Sequence, residues 1–225
     1  MNDLYVRFMA PVIPQTADLL FKALDSAIAQ KRQRVHLLIS SPGGSVFHGL
    51  SIYNFLKGAP IEVMTYNFGS VDSIGVVMFC AGTRRFSVPH ARFLIHGVKL
   101  NVNGNNSFDE KQLEEHLKGV KIDQQNIAQV IADTTERPRD KVENDMNSRI
   151  TLSPIEAKNY GLVHEIKSEL FPQDAQMIMI GENVQLPQGI QLPNGIQLPF
   201  NLPLGFTYPS VEGYTQSDDL KYVTI

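Results

Sequence analysis

Ser40-Ser-Pro-Gly-Gly-Ser-Val46 and Gly69-Ser-Val-Asp-Ser-Ile-Gly-Val-Val-Met-Phe-Cys-Ala81 are two glycine bends, each set between a strand-like run and a helix-like run, and their repetition decides the fold. Ahead of the first, Leu37, Leu38 and Ile39 form a short apolar run; after it Val46, Leu50, Ile52, Tyr53 and Leu56 recur at roughly helical spacing. Ahead of the second, Ile61-Glu-Val-Met-Thr-Tyr66 alternates as a strand does, and the run from Ser73 to Gly82 is apolar enough for a buried helix. Strand, tight turn and helix together present backbone N–H groups and the positive end of a helix to an anion. That geometry suits acyl transfer, because a serine at the helix start can attack a carbonyl while nearby N–H groups hold the oxyanion. Ser73 is the serine so placed. Gly43 and Gly44 lack a Cβ that would obstruct a substrate backbone, and their N–H groups are candidate donors. Either motif alone reads as an ordinary turn or helix cap; two in one chain point to a site.

Composition bounds the surroundings of that site. The 225 residues, 43% of them hydrophobic, suffice for one cored domain plus an appendage. Twenty basic against 23 acidic residues give a net charge of −3, which supports neither nucleic acid nor an anionic membrane as partner. The single cysteine, Cys80, lies in the apolar helix after Ser73 and reads as a buried thiol in a reducing compartment. No basic region followed by a long apolar run opens the chain, and no stretch approaches the ~20 apolar residues of a membrane span, so a soluble cytoplasmic protein is expected.

Taken in order, Leu4 to Val12 reads as a strand and Thr16 to Gln30 as an amphipathic helix capped by Thr16. Strand and helix alternate three times up to Gly82, which argues for parallel βαβ units. Phe86-Ser-Val-Pro and Ala91-Arg-Phe-Leu-Ile-His96 are strand-like and deliver His96 at a strand end. The other five histidines, His36, His48, His90, His116 and His164, read as surface or core residues, and no pair has zinc-ligand spacing on a helix with a glutamate between. A metallopeptidase is unsupported and no cofactor is called for. From Asp109 to about Thr134 runs one long charged helix with an apolar stripe of Leu113, Leu117, Val120, Ile127, Val130 and Ile131; little of the domain remains to cover it, which favours self-association. A second helix follows from Arg139 to about Asn147.

Four segments carry a family resemblance: Ser-Pro-Gly-Gly-Ser-Val46, Gly-Ser-Val-Asp-Ser-Ile-Gly75, Ala-Arg-Phe-Leu-Ile-His96 and Leu152-Ser-Pro-Ile-Glu-Ala-Lys-Asn-Tyr-Gly-Leu-Val163. In this order, from about Leu4 to about Ile166, the chain resembles the Clp protease proteolytic subunit. The resemblance implies an α/β fold of the ClpP and crotonase-like type, a spiral of ββα units with a projecting handle helix, in a peptidase domain over residues 1–168. It implies a serine endopeptidase acting on peptides or unfolded proteins, with Ser73 as nucleophile, His96 as general base, and the N–H groups of Gly44 and Ile74 as oxyanion hole. The helix after Asp109 becomes the handle through which two heptameric rings interlock. In family members a flexible segment before the first strand helps dock a ring ATPase; here that strand begins within a few residues of Met1, so an unfoldase is a weakly supported partner.

One position departs from the family. Its triad aspartate stands four residues before the serine of the Leu-Ser-Pro motif, and here that residue is Arg149, which cannot accept the imidazole N–H. Asn147 or Asp145 could accept it given a local shift of the backbone, with Asn147 slightly preferred. The departure keeps a non-catalytic ring scaffold in play. It also admits a Ser-Lys peptidase of the signal peptide peptidase A type, with Lys111, Lys118 or Lys121 as base, and, last, a crotonase-type acyl-CoA enzyme.

From Glu169 to Ile225 the resemblance stops, and this stretch reads as a C-terminal extension. Val184-Gln-Leu-Pro-Gln-Gly, Ile190-Gln-Leu-Pro-Asn-Gly and Ile196-Gln-Leu-Pro-Phe-Asn are three near-copies of one unit. Proline in each forbids helix and central strand. Each copy carries a β-branched residue and a leucine, too apolar for a free linker, so the tail is expected to lie across a neighbouring subunit or a ring face.

Overall fold

The computed structural model describes residues 3–101, 107–181 and 223–224. Three strands, β1 (Asp3–Met9), β2 (Arg34–Ser41) and β3 (Glu62–Asp72), lie side by side and parallel at the centre of the sheet. Their residues are apolar on both faces, as buried parallel strands require. Val6, Phe8, Leu37, Ile39 and Val63 join the main core, while Tyr5, Leu38 and Tyr66 turn to the opposite face and form a second cluster with Phe86.

Helix α1 (Pro14–Ala29) joins β1 to β2, α2 (Val46–Gly58) joins β2 to β3, and α3 (Ile74–Cys80) follows β3. The first begins two residues before the expected cap, because Pro14 has its φ already set for a helix start. Thr16 lies inside the first turn, where its hydroxyl accepts the Ile13 N–H at 3.1 Å and donates to the Pro11 carbonyl at 2.7 Å. Ser45 caps α2, its hydroxyl accepting from the His48 N–H.

After α3 come β4 (Arg84–Ser87), β5 (Arg92–Ile95), β6 (Lys99–Leu100), α4 (Glu110–Thr135), α5 (Arg139–Ser148), β7 (Ile150–Leu152), α6 (Pro154–Tyr160), β8 (Glu165–Ile166), β9 (Met177–Gly181) and β10 (Val223–Thr224). The main sheet runs β7-β5-β3-β2-β1-β9, with β4 beside β3 and β8 beside β4. Among the described residues, only the β5–β7 pairing in it is antiparallel. Strand β3 forks: Met64 to Asn67 pair with β4, whereas Ser70 to Asp72 pair with β5. Asn67 sits buried at the fork, donating to the Arg92 carbonyl at 2.8 Å and accepting the Gly69 N–H at 3.0 Å. The fork aims the end of β3 at β5, and both catalytic candidates emerge there.

Helix α4 divides into two halves. Ile127, Ala128, Ile131 and Ala132 are buried against the domain, while Leu113 and Leu117 are 54% and 55% exposed. The apolar stripe therefore continues beyond what the described residues cover. Buried Arg85 ties the helix ends together: its guanidinium donates to the carbonyls of Leu162, Gly82, Thr134 and Gly161 at 2.7–3.3 Å. Met177-Ile-Met-Ile-Gly181, within the stretch read as extension, adds to β1 as a further parallel strand. The proline-containing repeats from Val184 to Asn201 lie outside the described residues.

Candidate active site

The two glycine bends meet. Past the end of β2, the Ser41 hydroxyl accepts the Gly43 N–H at 3.1 Å, the Val12 N–H donates to the Gly43 carbonyl at 2.7 Å, and the Ser45 N–H donates to the Val12 carbonyl at 2.8 Å. This short parallel pairing leaves the Gly44 N–H outside its ladder. Gly43 and Gly44 have φ of 90° and 145°, where side chains are strained, and a Cβ on Gly44 would collide with the Val12 carbonyl oxygen. A Cβ on Gly43 would stand 2.7 Å from the Ser73 Oγ, so this bend lies directly on the Ser73 side chain.

Ser73 occupies the sharp turn between β3 and α3. Its φ of 64° and ψ of −132° place a non-glycine residue in a conformation that costs about 1–3 kcal/mol. The surroundings enforce it. The Ser73 N–H donates to the Leu94 carbonyl at 2.8 Å, its carbonyl accepts from the Val76 N–H at 3.0 Å, and every residue of α3 is buried. Ile74 packs its side chain against Gly49 of α2, which fixes the start of α3. The Ile74 N–H belongs to the first turn, where N–H groups lack intrahelical acceptors.

His96 follows β5 directly. Asp72 pairs with Leu94 in register, so Ser73 and His96 leave neighbouring strands at the same end. Both are buried. The imidazole Nδ1 lies 3.0 Å from the Gly97 carbonyl oxygen. A carbonyl can only accept, which assigns the proton to Nδ1 and leaves Nε2 with a lone pair, the form a general base needs. Burial holds the His96 pKa below the ordinary imidazole value; the Gly97 contact opposes this, Arg149 and Lys99 reinforce it with positive charge, and Asp72 opposes it.

The segment after His96 is braced by a residue that the sequence pattern did not single out. Gln124 on α4 accepts the Val98 N–H at 2.8 Å and donates to the Asn147 Oδ1 at 3.2 Å. Its signal was present: it stands between Val120 and Ile127, a polar residue at a stripe position of α4. Asn147 therefore faces the Gly97 region, while Asp145 accepts the Tyr160 hydroxyl at 2.8 Å. Among the described residues neither is hydrogen-bonded to the imidazole. Arg149 ends α5 with a left-handed φ of 55°. Lys111, Lys118 and Lys121 are exposed along α4. Asp72, beside the serine, is engaged by Arg92 at 2.7 Å and by the Ser70 hydroxyl at 2.8 Å.

The sequence and the fold have known counterparts. A family model described as Clp protease matches residues 2–169. The chain is 33% identical over 134 residues to the ATP-dependent Clp protease proteolytic subunit 2 of Corynebacterium glutamicum, covering 59% of this chain and 65% of that protein, just under two thirds of its length. It is 32% identical over 152 residues to the corresponding subunit of Bdellovibrio bacteriovorus, covering 67% of this chain and 69% of that one. Among solved structures, a ClpP1 mutant from Listeria monocytogenes superimposes with a TM-score of 0.66 at 25% identity, over 73% of this chain and 91% of the other.

Proposed function

The chain belongs to the Clp protease family, and from that premise we propose that it is a serine endopeptidase cleaving peptides or unfolded proteins through an acyl-enzyme. The observation that carries the reading is the contact of the Gly43–Gly44 bend with the Ser73 side chain, in a turn whose next N–H opens a buried helix. His96 Nε2 takes the proton of the Ser73 hydroxyl as Oγ attacks the peptide carbonyl carbon. The oxyanion that forms is held by the Gly44 and Ile74 N–H groups. Collapse breaks the C–N bond, and the protonated imidazole gives its proton to the leaving amine. Water, losing a proton to the same nitrogen, then hydrolyses the ester and frees Ser73.

Orientation of the imidazole falls to the Gly97 carbonyl in place of a carboxylate, and Asn147 is the preferred side chain to assist. Its support is its bond to Gln124, which holds the residue two beyond His96; Asp145 is committed to Tyr160. A carbonyl dipole stabilises an imidazolium less than a full charge does, so lower turnover than a complete triad gives is expected.

Association into rings, and a chamber between stacked rings, is part of the same proposal. Its support is the exposed stripe at Leu113 and Leu117 on a helix whose other half packs on the domain. The reading of a scaffold without turnover draws on one observation, Arg149 at the position of the family aspartate. Ser73→Ala separates the two: loss of peptide cleavage with unchanged assembly size in sedimentation supports the peptidase, and cleavage retained by the variant removes Ser73 from the role.

A further inference from the structure

The strand that continues from His96 ends on an edge that the chain itself covers. β6 lies outside the main sheet and pairs antiparallel with β10, Val223 opposite Leu100 and Thr224 opposite Lys99. β10 also touches α2, the helix that opens immediately after the Gly43–Gly44 bend. β10 thus contacts one element that begins just after the candidate oxyanion donors and one that begins just past the candidate base. Its composition suits the position: Tyr222-Val-Thr-Ile225 consists of aromatic and β-branched residues favoured in strands, after a region interrupted by prolines that cannot complete a ladder.

An extended peptide that adds to a strand edge is held by main-chain hydrogen bonds, with little demand on its sequence. Catalysis at Ser73 demands a substrate backbone held in one orientation, and an edge beside His96 offers that. We propose that Val223–Thr224 is a resident competitor: paired with β6, it occupies the edge on which an extended substrate would lie, and cleavage requires its departure. The inference rests on the peptidase reading of the site. Two paired residues exchange readily, yet a tethered segment acts at an effective concentration on the order of millimolar. Short peptides are therefore held off, while longer extended polypeptides, which gain more backbone bonds, displace it. The device would filter substrates by length.

The test uses the full chain carrying Val223→Pro or Thr224→Pro, each of which removes one backbone N–H from β10 and leaves the catalytic candidates intact. With a fluorogenic blocked tetrapeptide as substrate, the apparent KM should fall about three- to ten-fold in at least one variant while kcat stays within about two-fold, as expected for release of one or two hydrogen bonds. Labelling of Ser73 by a small fluorophosphonate, which needs no strand pairing, should proceed at the same rate in all forms. Equal KM in wild type and both variants, with normal labelling, overturns the competitor role. If no form is labelled the peptidase reading fails instead, and strand exchange is then decided by fluorescence anisotropy on Ser73→Ala chains with a fluorescein-labelled Val-Thr repeat hexapeptide. Tighter binding by either proline variant upholds occupation of the edge by β10; equal binding rejects it.

Discussion

Gly43→Ala perturbs the contact on which the site depends, and its consequence can be worked from distances. The added Cβ would lie 2.5 Å from the Ser73 Cβ, 2.7 Å from its Oγ and 2.9 Å from the Asp72 carbonyl oxygen, where ordinary contact begins near 3.4 Å. Relief demands a displacement of roughly an ångström between the bend and the serine, and a shift of that size costs on the order of 100-fold in rate, about 2.7 kcal/mol. The backbone adds its own cost, because φ of 90° is a region where a residue with a Cβ loses roughly 1–2 kcal/mol. Hydrolysis of a fluorogenic peptide should show kcat reduced about 100-fold, and calorimetry a melting temperature lower by roughly 3–8 °C. Gly58→Ala is the control, since a Cβ there meets nothing within 4 Å; kcat should not change. A Gly43→Ala protein with kcat within about three-fold of wild type would refute the proposed packing of the bend on the nucleophile.

Four further outcomes follow from the surroundings. Burial, Arg149 and Lys99 hold the His96 pKa down, and the base acts in its neutral form, so kcat/KM should persist to a pH below the ordinary imidazole value near 6.5 before falling. Arg149→Met removes a positive charge that disfavours the imidazolium and should move this acid limb upward, by about 0.3–0.5 pH unit for a partly screened charge; an unmoved or lowered limb contradicts the assignment. Arg85→Met leaves four carbonyls, two buried and two part-buried, without this donor and should cost on the order of 3 kcal/mol in denaturant unfolding; a loss under 1 kcal/mol would show the guanidinium to be dispensable. Leu113→Ser with Leu117→Ser should leave the melting of the domain nearly unchanged while reducing the sedimentation coefficient, and an unaltered assembly would remove the outer half of α4 from the interface.

What the sequence disclosed and what it concealed divide along physical lines. The two bends were legible because Pro-Gly-Gly and Gly-Ser interrupt opposite periodicities, and α4 was legible from its apolar stripe in a charged run. The fork in β3 was not, because a strand choosing two partners depends on where β4 and β5 end, and Asn67 at the branch is unremarkable in one dimension. The sequence points to side chains near Arg149 as the orienting group of His96, whereas its Nδ1 meets the Gly97 backbone carbonyl, a group that every residue has and no motif marks. Strand β9 went unread because Met-Ile-Met-Ile is short and unalternating, and only its fit along β1 gives it meaning. Strain at Ser73 is likewise invisible in composition, since any serine can be written there and only the packed α3 and the bond to Leu94 force its positive φ.

The central claim is that Ser73 is a nucleophile activated by His96. Incubating the protein with a fluorophosphonate at neutral pH and mapping the adduct by peptide mass spectrometry tests it most directly. The account predicts one phosphonylated residue, Ser73, with modification abolished in Ser73→Ala and strongly slowed in His96→Ala. An unmodified Ser73, under conditions in which a known serine peptidase is fully labelled, would contradict it.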